Sequence, residues 1–126
     1  MARILVVDDD QDMAASIKTI LFRSGYGVEV FQDARKAIEE AKKQRPDLIL
    51  MDLMMPQFSG EEAIKELKND PHLAKIPVII LTGLLSPEEY LEMTKITIDG
   101  KSYKILGKPF KIEELIQAVK DSLKWS

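Results

Sequence analysis

Two hydrophobic rhythms alternate along this chain, and each change of rhythm marks the boundary of an element. Ile4-Leu5-Val6-Val7 is apolar without alternation, the pattern of a strand covered on both faces. It gives way to Met13, Ile17, Ile20 and Leu21, a spacing that predicts one apolar stripe on a helix, with Gly25 placed to stop it. Val28-Glu29-Val30-Phe31 alternates, which predicts an edge strand with one face partly wet. Asp33 can cap the next helix, whose apolar side is Ala34, Ala37, Ile38 and Ala41. Leu48-Ile49-Leu50-Met51 is again strand-like, and a helix with Ala63, Ile64 and Leu67 inward follows, ended by Asn69-Asp70-Pro71. Val78-Ile79-Ile80-Leu81 is the next strand, and Ser86-Pro87-Glu88-Glu89 carries a helix start: a capping Ser, Pro in the first turn and a Glu three residues on. Tyr103 to Leu106 is the expected fifth strand, and Ile112, Leu115, Ile116, Val119 and Leu123 define the last helix. Five strands alternating with five helices predict an α/β domain, a doubly wound five-stranded parallel sheet with right-handed crossovers.

Strands of a parallel sheet point their C-terminal ends at one rim, so side chains far apart in sequence meet in one crevice. Asp8 and Asp9 leave the first strand, Asp52 the third and Thr82 the fourth, and Lys108 follows the fifth. Composition narrows what such a crevice can serve. The 126 residues suit one domain, expected to span 1–126, and a formal net charge of −3 argues against general nucleic-acid binding. The chain has no cysteine, which excludes disulfides, thiolate metal sites and cysteine nucleophiles. No apolar run reaches membrane-spanning length and a strand begins almost at once, so no signal peptide and a cytoplasmic location are expected.

Acids at a helix start complement the helix dipole, and that structural role is the expectation for Asp10 and Asp12. Asp8 and Asp9 sit on the strand exit itself, beside another exit that carries Asp52, and carboxylates so crowded call for a cation. Hard oxygen ligands with few protein donors suit Mg²⁺, with Mn²⁺ as a substitute. A calcium EF-hand is rejected, because Met13 stands at the glycine position and Thr19 at the terminal acid. A carboxylate beside such an ion can also accept a phosphoryl group, a transfer that needs charge stabilisation more than a base. Lys108 supplies a mobile positive charge for it and Thr82 a hydroxyl donor.

The stretches Ile4–Asp9 (ILVVDD), Leu48–Pro56 (LILMDLMMP) with Gly60, Val78–Thr82 (VIILT) and Lys108-Pro109-Phe110 (KPF) together resemble the receiver domain of two-component response regulators, the family of the chemotaxis regulator CheY. The resemblance covers essentially the whole chain and implies the flavodoxin-like strand order 2-1-3-4-5. It implies Asp52 as phosphoacceptor, Asp9 as a direct Mg²⁺ ligand, Asp8 as a helper through water, and the Met54 backbone carbonyl as the remaining protein ligand. It implies that Thr82 and Lys108 contact the phosphoryl oxygens and that the Lys108–Pro109 peptide is cis. The partners implied are a sensor histidine kinase or a histidine phosphotransfer protein, then a downstream protein met by the fourth helix, fifth strand and last helix, where Lys101, Lys104 and Lys111 lie. Self-catalysed phosphorylation without enzymatic turnover is implied, with no direct contact to nucleic acid or membrane. The state expected is a monomer or a weak phosphorylation-linked dimer.

Two departures stand out. The family places an aromatic ring three residues before the lysine as part of its switch; here that residue is Ile105, with Tyr103 two residues earlier on the same face. Thr94 to Ser102 lacks the usual small-residue pattern, and the stretch between Thr82 and Lys108 is a few residues long for the family, so an unusual fourth helix and loop are expected. Met54 and Leu84 flank the path of hydrolytic water in the family and cannot orient it by hydrogen bonding, which predicts a long-lived phosphoryl state. Two other classes compete with this one: a haloacid-dehalogenase-like phosphatase, whose D-x-D element Asp8-Asp9-Asp10 contains but for which Asp12 replaces the expected threonine, and a receiver-like scaffold, which Ile105 keeps in view. No effector domain is seen, so the chain reads as a stand-alone regulator or part of a longer one.

Overall fold

A computed structural model of the protein describes residues 1–53, 55, 59–83 and 95–124. In chain order these form β1 (Arg3–Val7), α1 (Gln11–Arg23), β2 (Gly27–Phe31), α2 (Ala34–Lys43), β3 (Leu48–Asp52), α3 (Gly60–Asn69), β4 (Val78–Thr82), β5 (Lys95–Ile98), β6 (Lys101–Gly107) and α4 (Ile112–Lys124). Parallel pairing joins β2, β1, β3, β4 and β6 in that spatial order, and β5 lies antiparallel to β6 at the far edge.

The unalternating strands are buried on both faces, as their composition requires. Leu5, Val7, Ile49, Met51 and Ile80 face a core built with Ala34, Ile38, Ala63, Ile64 and Leu67 of α2 and α3. Ile4, Val6, Leu48, Leu50, Ile79 and Leu81 face the opposite core, with Ile17 and Leu21 of α1 and Leu115 and Val119 of α4. Each fully buried Leu, Ile or Val contributes about 1.5–3 kcal/mol. β2 alternates because it is an edge, partly exposed along its whole length. Asp10, Asp33 and Ser59 cap α1, α2 and α3 with side-chain oxygens, and Gly25, at φ +96°, follows the α1 cap where a side chain would be strained. The α4 stripe starts at Leu115 and includes Ala118; Ile112, expected inward, is 54% exposed at the first helical residue.

The five expected parallel strands are present in the order 2-1-3-4-5, with β6 as the fifth, but the sheet has six strands and is mixed. The added strand comes from the segment that departs from the family pattern. Asp99 and Gly100 take φ of +51° and +78°, so they form a two-residue hairpin turn between Ile98 and Lys101. Positive φ at both central positions matches the right-handed twist of the flanking strands, and Asp-Gly is a preferred pair for it. The helix expected from Ser86 lies outside the described residues, and four helices are seen among those described.

Candidate functional site

Parallel registration brings the strand exits to one level. Val7 pairs with Phe31 and Met51, Asp52 with Leu81, and Thr82 with Gly107. Asp8, Asp9 and Asp52 follow directly, each offering a carboxylate oxygen within 4.8 Å of the other two. Asp8 and Asp52 are buried and Asp9 is exposed, so the cluster opens to solvent on one side only.

Lys108 crosses into this cluster from the turn after β6. Its Nζ donates to Asp8 Oδ2 at 2.7 Å and lies 3.5 Å from Asp52 Oδ2. Its backbone N–H donates to the Thr82 carbonyl at 2.8 Å, which ties the turn to the end of β4, and the Lys108–Pro109 peptide is cis. Burial alone would lower the Lys108 pKa, but the hydrogen bond and charge of Asp8, then those of Asp52, hold it above its ordinary value. One ammonium still faces three carboxylates. Like charges about 4.8 Å apart repel by about 3 kcal/mol per pair at an effective dielectric of about 20. The rim therefore favours a further cation. Its donors are hard carboxylate oxygens, and Asp9 is open to solvent, so a small divalent ion fits them.

The exit of β3 is held from behind by a glycine. Gly60 N–H donates to the Leu53 carbonyl at 3.2 Å, and a Cβ at position 60 would stand 2.1 Å from the Asp52 carbonyl oxygen and 2.8 Å from Leu53 Cα. Only glycine allows α3 to start that close to Asp52. Gly60 entered the sequence reading as part of a motif; the signal of its packing role was its place between the Ser59 cap and the first apolar residue of α3.

Thr82 is buried at the same rim, and Asp8, Asp9, Asp52, Thr82 and Lys108 thus share one neighbourhood. Asp10 and Asp12 do not join the cluster. Asp10 Oδ1 accepts from the Asp12 and Met13 N–H groups at 3.0 and 3.1 Å as the α1 cap, so the second acid of a phosphatase-like D-x-D pair is already committed. Ile105 and Tyr103 share a face, both buried on the α3 side. Tyr103 is four residues before Gly107, the partner of Thr82, which places it roughly 13 Å back along the strand at about 3.3 Å per residue. Met54 lies outside the described residues, and so does Leu84.

Fold and rim together define a doubly wound signalling-type α/β domain with an acidic, lysine-bridged centre at its strand ends. The family model described as the response regulator receiver domain matches residues 4–120. Response regulator MprA of Mycolicibacterium vanbaalenii is 34% identical over 122 residues, covering 97% of this chain and 50% of that protein. The DNA-binding dual master transcriptional regulator RpaA of Synechocystis sp. is 33% identical over 124 residues, covering 98% of this chain and 50% of its own length. Among solved structures, the Vibrio cholerae chemotaxis protein CheY4 matches with a TM-score of 0.83 and 32% identity, covering 98% of this chain and 99% of that one. A receiver domain of a signal transduction histidine kinase from Syntrophus aciditrophicus matches with a TM-score of 0.82 and 34% identity, covering 99% and 92%. This chain belongs to the response regulator receiver domain family of two-component signalling. It is a signalling module rather than a classical enzyme, and it spans about half the length of the curated relatives MprA and RpaA. Among the described residues no helix is long and apolar enough to cross a membrane.

Proposed function

We propose that Asp52 is the phosphoacceptor, taking its phosphoryl group from a phosphohistidine on a sensor histidine kinase or a histidine phosphotransfer protein. The observation that carries this reading is the Lys108 ammonium set between buried Asp8 and Asp52, at 2.7 and 3.5 Å, on the rim that also holds Asp9. An Asp52 carboxylate oxygen attacks phosphorus; the P–O bond forms as the P–N bond breaks, and the departing electron pair stays on the imidazole nitrogen. Lys108 and the Thr82 hydroxyl then donate to the phosphoryl oxygens. Asp8, Asp9 and Asp52 would hold Mg²⁺ or Mn²⁺, with the Met54 carbonyl as the further ligand that the family implies. Such an ion, when bound, offsets charge on the carboxylates and the transferring oxygens.

Phosphorylation adds about −1.5 to −2 charge at this rim and draws Thr82 and Lys108 inward. Among the described residues, Gly83 leaves room for that movement, since a Cβ there would meet Lys108 Cβ at 3.9 Å, an ordinary contact. With Ile105 at the switch position and Tyr103 far back on the strand, the switch moves an aliphatic side chain rather than a ring. The output face changes as well, because β6 is covered by β5 and the hairpin supplies the outer edge that a downstream protein meets beside α4. The setting is a cytoplasmic module, monomeric or weakly dimerising on phosphorylation. Intact mass after incubation with acetyl phosphate and Mg²⁺ tests the reading: wild type gains one phosphoryl mass and Asp52→Asn gains none. A gain that survives in Asp52→Asn overturns it.

A further inference from the structure

The edge hairpin creates a recess on the opposite side of the molecule from the acidic rim. It lies between the last turn of α3 and the β5–β6 turn, encloses about 180 Å³, and has Ile64, Ile98 and Tyr103 as its apolar wall. Lys68, Lys101 and Asp99 supply its charge together with Lys65, whose ammonium is already 3.6 Å from Glu61. Lys68 is half-buried. Its Nζ donates to the Ala74 and Ile76 carbonyls at 2.9 and 2.7 Å and sits 5.7 Å from the Tyr103 ring centroid. An ammonium has three N–H donors, so one remains after the two carbonyls.

Among the described residues no carboxylate pairs with Lys68 or Lys101, whereas Lys65 and Lys104 each have one and Lys108 has two. The two unpaired ammoniums feel each other. Burial first, and then the Lys101 charge, bring Lys68 down to about 8. Asp99 lines the same recess, and after burial its charge is the second cause that raises the Tyr103 hydroxyl. The recess is thus half-enclosed, with a spare Lys68 donor and the Lys101 ammonium set against one lining carboxylate, Asp99, so that cationic groups outnumber it.

We propose that this recess binds a small oxyanion of phosphate or sulfate size, held by the remaining Lys68 N–H and the Lys101 ammonium. A bound oxyanion bridges the edge hairpin to α3, the helix whose first residue abuts the Asp52 backbone. The ligand class follows from charge and size, since an anion relieves the repulsion between the two lysines and a tetrahedral group can accept from both at once.

The test is an amide NMR titration with sodium sulfate, repeated with sodium phosphate, and with sodium chloride at matched ionic strength. Saturable shifts are expected at the amides of 98–103 and 64–69 with sulfate and phosphate but not with chloride. Lys101→Ala, which removes an exposed turn side chain and leaves the core intact, should weaken the apparent affinity roughly tenfold, the loss of one charge-assisted hydrogen bond. Lys68→Met should abolish the saturation. Equal shifts with chloride, shifts confined to the Asp52–Lys108 rim, or a titration unchanged by Lys101→Ala would each overturn the proposal. The readout uses no phosphoryl transfer, so its failure leaves the phosphoacceptor reading standing.

Discussion

At the N-terminal rim of the sheet, Arg3 sends its guanidinium to Glu29, to Glu40 at 2.7 Å and to the Gln44 carbonyl at 2.6 Å, while its backbone N–H and carbonyl exchange 2.8 Å hydrogen bonds with Asp47. At the C-terminal rim, Lys108 sends one ammonium to Asp8 and Asp52. The Arg3 cluster and the Lys108 cluster each hold more acid than base, yet they are built to different ends. The guanidinium spreads its donors over three acceptors, one on β2 and two on α2 and its cap, and its carboxylates stay in contact with water: Glu29 is 43% exposed. Water screens what excess charge remains there, and the arrangement is closed. The ammonium is a point donor, and Asp8 beside it is 0% exposed. The Lys108 ammonium only partly offsets the charge gathered at that rim, and the burial of Asp8 and Asp52 keeps solvent from screening the rest, which favours a further cation there. The difference shows that ion pairs alone do not mark a site; burial of unbalanced charge does.

The largest effect expected from breaking this contrast comes from Gly60→Ala. A Cβ meeting the Asp52 carbonyl oxygen at 2.1 Å collides with backbone, which no rotamer change relieves. Either α3 or the β3 exit has to move, at a cost of about 3 kcal/mol. Urea denaturation should show that loss, and phosphoryl uptake from acetyl phosphate should fall with it because Asp52 is displaced relative to Lys108. Near-wild-type values in both measurements would mean that the close approach at position 60 is not what sets the acceptor in place.

Much of this was legible in the residues. The fully buried strands β1, β3 and β4 announced themselves as apolar runs without alternation, and parallel pairing then required Asp8, Asp9, Asp52, Thr82 and Lys108 to share a rim. The caps at Asp10, Asp33 and Ser59 are local chemistry of the kind a sequence displays directly. What escaped notice was β5. It has only four residues, two of them lysine and threonine, and its one local signal is the Asp-Gly turn that follows it. The ring question needed structure too, because period-two reasoning puts Tyr103 and Ile105 on one face without giving the level of each along the strand. The Arg3 network was equally hidden, since its partners at 29, 40 and 44 are related only through the register of β1 with β2 and the docking of α2.

That network supplies the smaller half of the comparison. Arg3→Met keeps the aliphatic stem and removes the guanidinium, leaving Glu29 and Glu40 to be solvated by water they already touch. A destabilisation of about 1 kcal/mol is expected, the scale of a partly exposed, hydrogen-bonded pair. Phosphoryl uptake should stay at the wild-type rate, because nothing at the C-terminal rim rests on Arg3. A loss of uptake as large as that of Gly60→Ala would erase the distinction between the two rims.

The smallest effect sharpens the N-terminal side and concerns Lys68. Burial and the Lys101 charge bring its pKa from 10.5 to about 8, so over the interval between those values the unfolded chain binds a proton at this residue that the folded chain has released. Stability rises with pH wherever the unfolded state holds more protons. The contribution of Lys68 is therefore fully present above about 10.5 and is lost as pH falls through about 8. Lys108 works in the opposite sense, its raised folded value making its contribution decline as pH climbs through that value. The two are separated by difference. Denaturation of wild type and Lys68→Met at steps from pH 8 to 10.5 should show wild type gaining stability relative to the variant. Side-chain NMR of Lys68 should titrate with a midpoint about 8, and Lys101→Ala should move that midpoint upward by removing the neighbouring charge. A midpoint at the ordinary lysine value, with no relative gain on raising pH, would mean that the recess is as well solvated as the Arg3 end.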